Sequence, residues 1–65
     1  MHASTPIPAP ESGTFVEVME VADEWFVRVA YEGRETINWF QTKSRALDFA
    51  EGWREHLNLE KIDLL

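Results

Sequence analysis

The sequence predicts an α+β domain: a three-stranded antiparallel meander with one C-terminal helix packed on one face, in the order β-β-β-α. Three observations carry this. The run WFVRVAY (residues 25–31) alternates with a period of two, as a strand with two different faces does. Glu32, Gly33 and Arg34 follow as a hairpin signal, with Gly33 free to take positive φ. From Thr42 onward the apolar spacing changes to that of an amphipathic helix.

Each element can be justified in order. Residues 1–12 hold Pro6, Pro8 and Pro10 alternating with small residues, a spacing that suits neither helix nor central strand, so a disordered, loosely polyproline-like tail is expected. The folded domain is expected over residues 13–59. TFVEVMEV (residues 14–21) mixes Val with Glu, which fits a strand with a watery neighbour. Ala22, Asp23 and Glu24 read as a turn. In the second strand Trp25, Val27, Val29 and Tyr31 point one way, and Phe26, Arg28 and Ala30 the other. Thr36, Ile37, Asn38, Trp39 and Phe40 form the third strand, and such short links force an antiparallel meander.

Thr42 is placed to cap the helix. At about 100° per residue, Ala46, Phe49, Ala50, Trp53 and Leu57 share one side, with Leu47 at its margin. Asp48, Glu51, Gly52 and Glu55 lie opposite. Asn58 can end the helix in a left-handed conformation, with Leu59 folding back. Residues 60–65 keep Ile62, Leu64 and Leu65, as a fraying tail or as a lid on the core.

The run EWFVRVAYEGRETINWFQTKSRALDFA resembles short uncharacterised bacterial domains with a W-x-V strand and an F-x-T-x-x-x-A helix start. More distantly it resembles the AP2-like N-terminal DNA-binding domains of phage-type tyrosine recombinases. The matching positions are Trp25, Gly33, Phe40, Thr42 and Ala46. The resemblance implies that Phe40 is core, which sends Trp39 and Ile37 to the other face. A two-residue turn at Gly33 and Arg34 would then set Ala30 opposite Ile37 and Arg28 opposite Trp39. A three-residue loop would instead pair Val29 with Ile37 and Val27 with Trp39 and bury Trp39 under the helix. The first register is preferred.

The recombinase-like domains lay the open sheet face on DNA, which requires several Lys or Arg to replace phosphate counterions. Here the strands offer only Arg28 and Arg34. Residues 1–24 carry five acids and no Lys or Arg, whereas residues 25–65 carry seven acids and six bases. The net charge of −6 is the wrong sign for a DNA-binding footprint, so nucleic acid is not the expected partner. The implied class shrinks to a degenerate recombinase-type domain or an acidic antagonist of a DNA-binding protein, as the alternative reading.

Enzymatic chemistry is not expected. Ser12 and Ser44 have no neighbouring His, the three glycines are isolated, and there is no cysteine for a thiolate metal site or a disulfide. His2 and His56 lie far apart, so neither a metal nor a cofactor is expected; Asp48, Glu51 and Glu55 read as a solvated helix face. No run approaches the length of a membrane span, and MHASTPIPAPESG lacks the form of a signal peptide. A cytoplasmic protein is the resulting expectation, with no membrane and no small-molecule substrate; that it is bacterial is what the resemblance implies.

What remains is a protein-interaction role. A domain of this size cannot bury enough surface easily, and one helix covers one sheet face only. The uncovered face is expected to present Phe26, Arg28, Ala30, Ile37 and Trp39, an aromatic-and-Arg composition typical of interface hot spots. The expectation is a homodimer, or a complex with one protein partner, through that face.

Overall fold

The computed structural model describes residues 13–65, so the expectation for the Pro-containing segment 1–12 falls outside it. Three antiparallel strands and a helix lie in the predicted order: β1 (Phe15–Val21), β2 (Glu24–Tyr31), β3 (Arg34–Phe40) and α1 (Lys43–His56). A short fourth strand, β4 (Asp63–Leu64), is added to the sheet, whose order is β3-β2-β1-β4.

Both hairpins close with two residues at positive φ, the pattern of a type I′ turn, whose twist matches that of the strands it joins. In the first they are Ala22 (53°) and Asp23 (67°); in the second, Glu32 (51°) and Gly33 (75°). The first turn is therefore tighter than the three-residue stretch expected, the second is a two-residue turn one position earlier than the preferred one, and β2 and β3 start at Glu24 and Arg34.

This shift corrects the register. Neither Ala30–Ile37 with Arg28–Trp39 nor Val29–Ile37 with Val27–Trp39 is found; Arg28 lies opposite Ile37 and Phe26 opposite Trp39. Because the turn falls at Glu32 and Gly33, pairing slides by two positions along β3 from the preferred register. A slide of two preserves the face of every side chain. Phe40 still points toward the helix, and Ile37 and Trp39 still point away.

Under the helix, Val16 and Val18 of β1 and Val27 and Val29 of β2 meet Ala46 and Ala50 of α1, all essentially inaccessible to water. The two alanines let the helix backbone approach the valine layer closely. Around them pack Trp25, Tyr31, Phe40, Leu47, Phe49, Trp53 and Leu57, each half-buried. Ring pairs tie helix to sheet: Phe49 lies 5.0 Å from Phe40 and Trp53 lies 5.1 Å from Tyr31.

The helix ends follow the expected chemistry. Thr42 has extended backbone angles, and its Oγ1 accepts the Arg45 N–H at 3.3 Å. At the other end Asn58 takes φ of 59°. The Leu59 N–H donates to the Arg54 carbonyl at 2.9 Å, and the Asn58 N–H donates to that of Glu55 at 3.1 Å. This is a Schellman motif, which satisfies carbonyls left free by the helix and turns the chain back. Arg54 reinforces it by donating from Nη1 to the Leu59 carbonyl at 2.8 Å. Leu59 and Ile62 then reach the core.

The C-terminal segment packs on the core through Ile62 and also extends the sheet. Asp63 and Leu64 run parallel to β1 beside Glu17 and Val18, and the Leu65 N–H donates to the Val18 carbonyl at 2.9 Å. Ile62 packs inward, while Leu64 and Leu65 stay exposed.

Candidate protein-interaction surface

Strand pairing arranges the face away from the helix in rows. Val21 lies beside Glu24; next come Met19, Phe26 and Trp39; then Glu17, Arg28 and Ile37; then Phe15, Ala30 and Glu35. The surface has two halves. Toward the first hairpin it is apolar, with Val21, Met19, Phe26, Trp39 and Ile37 adjacent. Toward the second it is charged.

Arg28 organises the charged half. Its Nη2 lies 2.7 Å from Glu17 Oε1, and its Nε lies 2.9 Å from the same oxygen and 3.2 Å from Glu35 Oε2. The guanidinium also lies over the Phe15 ring, 5.3 Å from its centroid, a cation–π arrangement. Glu17 on β1, Arg28 on β2 and Glu35 on β3 therefore stitch three strands together.

Five residues were expected to form the surface, and all five lie on this face, with different exposures. Ile37 and Trp39 are open to solvent at 63% and 54%. Phe26 is half-buried because Met19 and Trp39 flank it in its row. Ala30 is not presented: it is 5% exposed, too short to emerge between Phe15 and Glu35. Arg28 is not free for a partner, being held by the two glutamates. The sequence reading overlooked Met19 and Val21. Alternation along FVEVMEV could have found them, since Val16 and Val18 inward require odd-numbered residues outward. Of the three tryptophans, Trp25 and Trp53 pack against the core and Trp39 does not.

A second concave feature flanks the helix. Asp48, Phe49, Gly52, Trp53 and His56 line an open groove on the side facing β3, with His56 edge-on to Trp53 at 5.4 Å. On the helix side of the sheet β3 presents Thr36 and Asn38, opposite Val29 and Val27. The polar helix face is internally paired: Arg54 Nη2 lies 2.6 Å from Glu51 Oε2 and 3.7 Å from Glu55 Oε2. The hydrogen bond from Arg54 holds the Glu51 carboxyl below the ordinary carboxylate range, and the same bond raises Arg54.

Among the described residues no helix is long and apolar enough to cross a membrane. Compared with protein-family models, with curated proteins and with solved structures, the chain matches none.

Proposed function

We propose that this is a small non-enzymatic protein-interaction module. It works through the apolar surface centred on Ile37 and Trp39 of β3, and a second copy of the chain is its first partner. The observation that carries the reading is the exposure of Ile37 and Trp39 in neighbouring rows, continuous with Phe26, Met19 and Val21. Contiguous aromatic and aliphatic surface rimmed by charge marks a place where proteins meet. The core supports it too. Its fully buried side chains are valines and alanines, while the larger rings stay half-buried, so covering more apolar surface is the available route to greater stability.

The nucleic-acid reading is weaker. Among the described residues Arg28 is the one strand base on the open face, and it is already engaged by Glu17 and Glu35.

Sedimentation over a concentration series tests the proposal. The unmodified protein is expected to pass from monomer to dimer. Trp39→Glu, at an exposed position that leaves the core untouched, is expected to remain monomeric with the same circular dichroism. A monomer up to millimolar concentration would remove the second copy as partner.

A further inference from the structure

The two borders of the sheet are unequal. On one side β4 covers Glu17 and Val18 with two residues, and Leu65 adds a hydrogen bond to Val18. On the other side β3 has, among the described residues, a strand neighbour in β2 alone. Because alternate residues of a strand direct their N–H and C=O groups to opposite borders, about half of the residues of β3 are thus available along this one. Exposed edges are normally blunted by a Lys, a Pro, a bulge or an inward charge. Here the central stretch Thr36, Ile37, Asn38 and Trp39 contains none of these, and it pairs with β2 without interruption.

We infer that the second copy docks along β3, edge to edge and antiparallel, about a two-fold axis through Ile37, making one continuous eight-stranded sheet. The inference rests on the self-association reading and specifies its geometry. Ile37 is the midpoint of β3, so an axis there pairs every position of the strand with its partner. On the open face Ile37 meets its own copy, and each Trp39 lies opposite a Glu35 whose charge Arg28 already offsets at 3.2 Å. On the helix side Thr36 lies opposite Asn38, two polar groups able to bond across the seam. Arg34 lies opposite Phe40. No like charges face one another, whereas an axis at Glu35 would oppose two carboxylates. Symmetric pairing of one patch with itself is also the closed arrangement that dimers favour.

Stacking the two open faces is the competing geometry. It would drive Glu17, Arg28 and Glu35 out of water, and desolvating such a network is costly. Edge pairing leaves that network wet, satisfies the outward main-chain groups of β3, and lays each Ile37 beside its copy at the seam. It also joins the two apolar halves into one wider surface.

The absence of cysteine makes single-cysteine cross-linking clean. Across an antiparallel pair, facing Cα atoms stand about 4.5–5.5 Å apart, inside the range a disulfide spans. Thr36→Cys and Asn38→Cys, mixed under mild oxidation, are expected to give the mixed disulfide several-fold over either homodisulfide. These side chains lie on the helix side, where face stacking cannot bring them together. In the unmodified protein, β3 amides are expected to gain hydrogen-exchange protection as concentration rises, which does not depend on the variants folding. A dimer by sedimentation with neither the mixed disulfide nor this protection overturns edge pairing and leaves self-association intact. A monomer throughout overturns both.

Discussion

Ala22 and Glu32 hold a backbone conformation that costs an L-residue about 1–2 kcal/mol, because each opens a hairpin turn at positive φ. Only Gly33 among the four turn residues is free of that penalty. Converting Ala22 and Asp23 to Asn and Gly, the pair such turns prefer, is expected to raise unfolding stability by about 1 kcal/mol. Urea titration reads this directly, and no gain would mean that the first turn is not the two-residue turn described. Glu51 offers a second test. Its carboxyl is held low by the hydrogen bond from Arg54, so the folded state favours the ionised form. That contribution is complete above the ordinary carboxylate range and is lost as pH falls through the lowered value of the folded state. Glu51→Gln is therefore expected to flatten the acid side of the stability profile below the ordinary range, with little effect on its alkaline side. An unchanged acid limb would show the Arg54 contact to be broken in solution.

At the scale of elements, the helix draws its hold on the sheet from rings that meet β2 and β3 and alanines at its centre. Trp53 is the largest of these rings, packed at a tilt against Tyr31 at 5.1 Å yet bordering the open groove. Trp53→Ala is expected to cost about 2–4 kcal/mol, toward the lower part of the scale for large core truncations because part of the ring already meets water. That is enough to leave a domain of this size largely unfolded at modest denaturant, and a loss under 1 kcal/mol would show that the ring does not pack on the sheet. The helix stripe, the Thr42 cap and the Asn58 reversal were legible in the sequence because each is set by local spacing and one or two residue types. The two faces of β2 were legible for the same reason. The register was not, since Glu32, Gly33 and Arg34 support more than one turn and only the pairing partner decides. The first hairpin hid its turn because neither Ala22 nor Asp23 is the expected glycine. β4 was missed because a two-residue strand has no period to read; it forms only because the Schellman motif and Arg54 return the chain to β1. On the surface, Ile37 and Trp39 followed from alternation once the resemblance set Phe40 inward. The capture of Arg28 and the burial of Ala30 depend on which cross-strand neighbours they meet, which the slide of two positions changed.

At the scale of the whole molecule, charge and apolar surface oppose one another, and ionic strength separates them. Each chain carries a net charge of −6, so bringing two together is resisted by long-range repulsion that salt screens. The contacts proposed to join them, Ile37 to its copy and main chain to main chain along β3, are insensitive to screening. Self-association is therefore expected to strengthen as salt is raised from low to physiological levels, with the dissociation constant falling several-fold in sedimentation equilibrium. The melting temperature should rise with protein concentration, since a partner that binds the folded state stabilises it by mass action. In Trp39→Glu both dependences should vanish while the melting temperature at high dilution stays near that of the unmodified protein. A nucleic-acid-binding domain would respond with the opposite sign, because phosphate contacts weaken steeply with salt. One titration thus weighs the two readings on the same sample. Binding to duplex DNA that appears at low salt and disappears at physiological salt would turn the argument toward the recombinase-like resemblance and away from the apolar face.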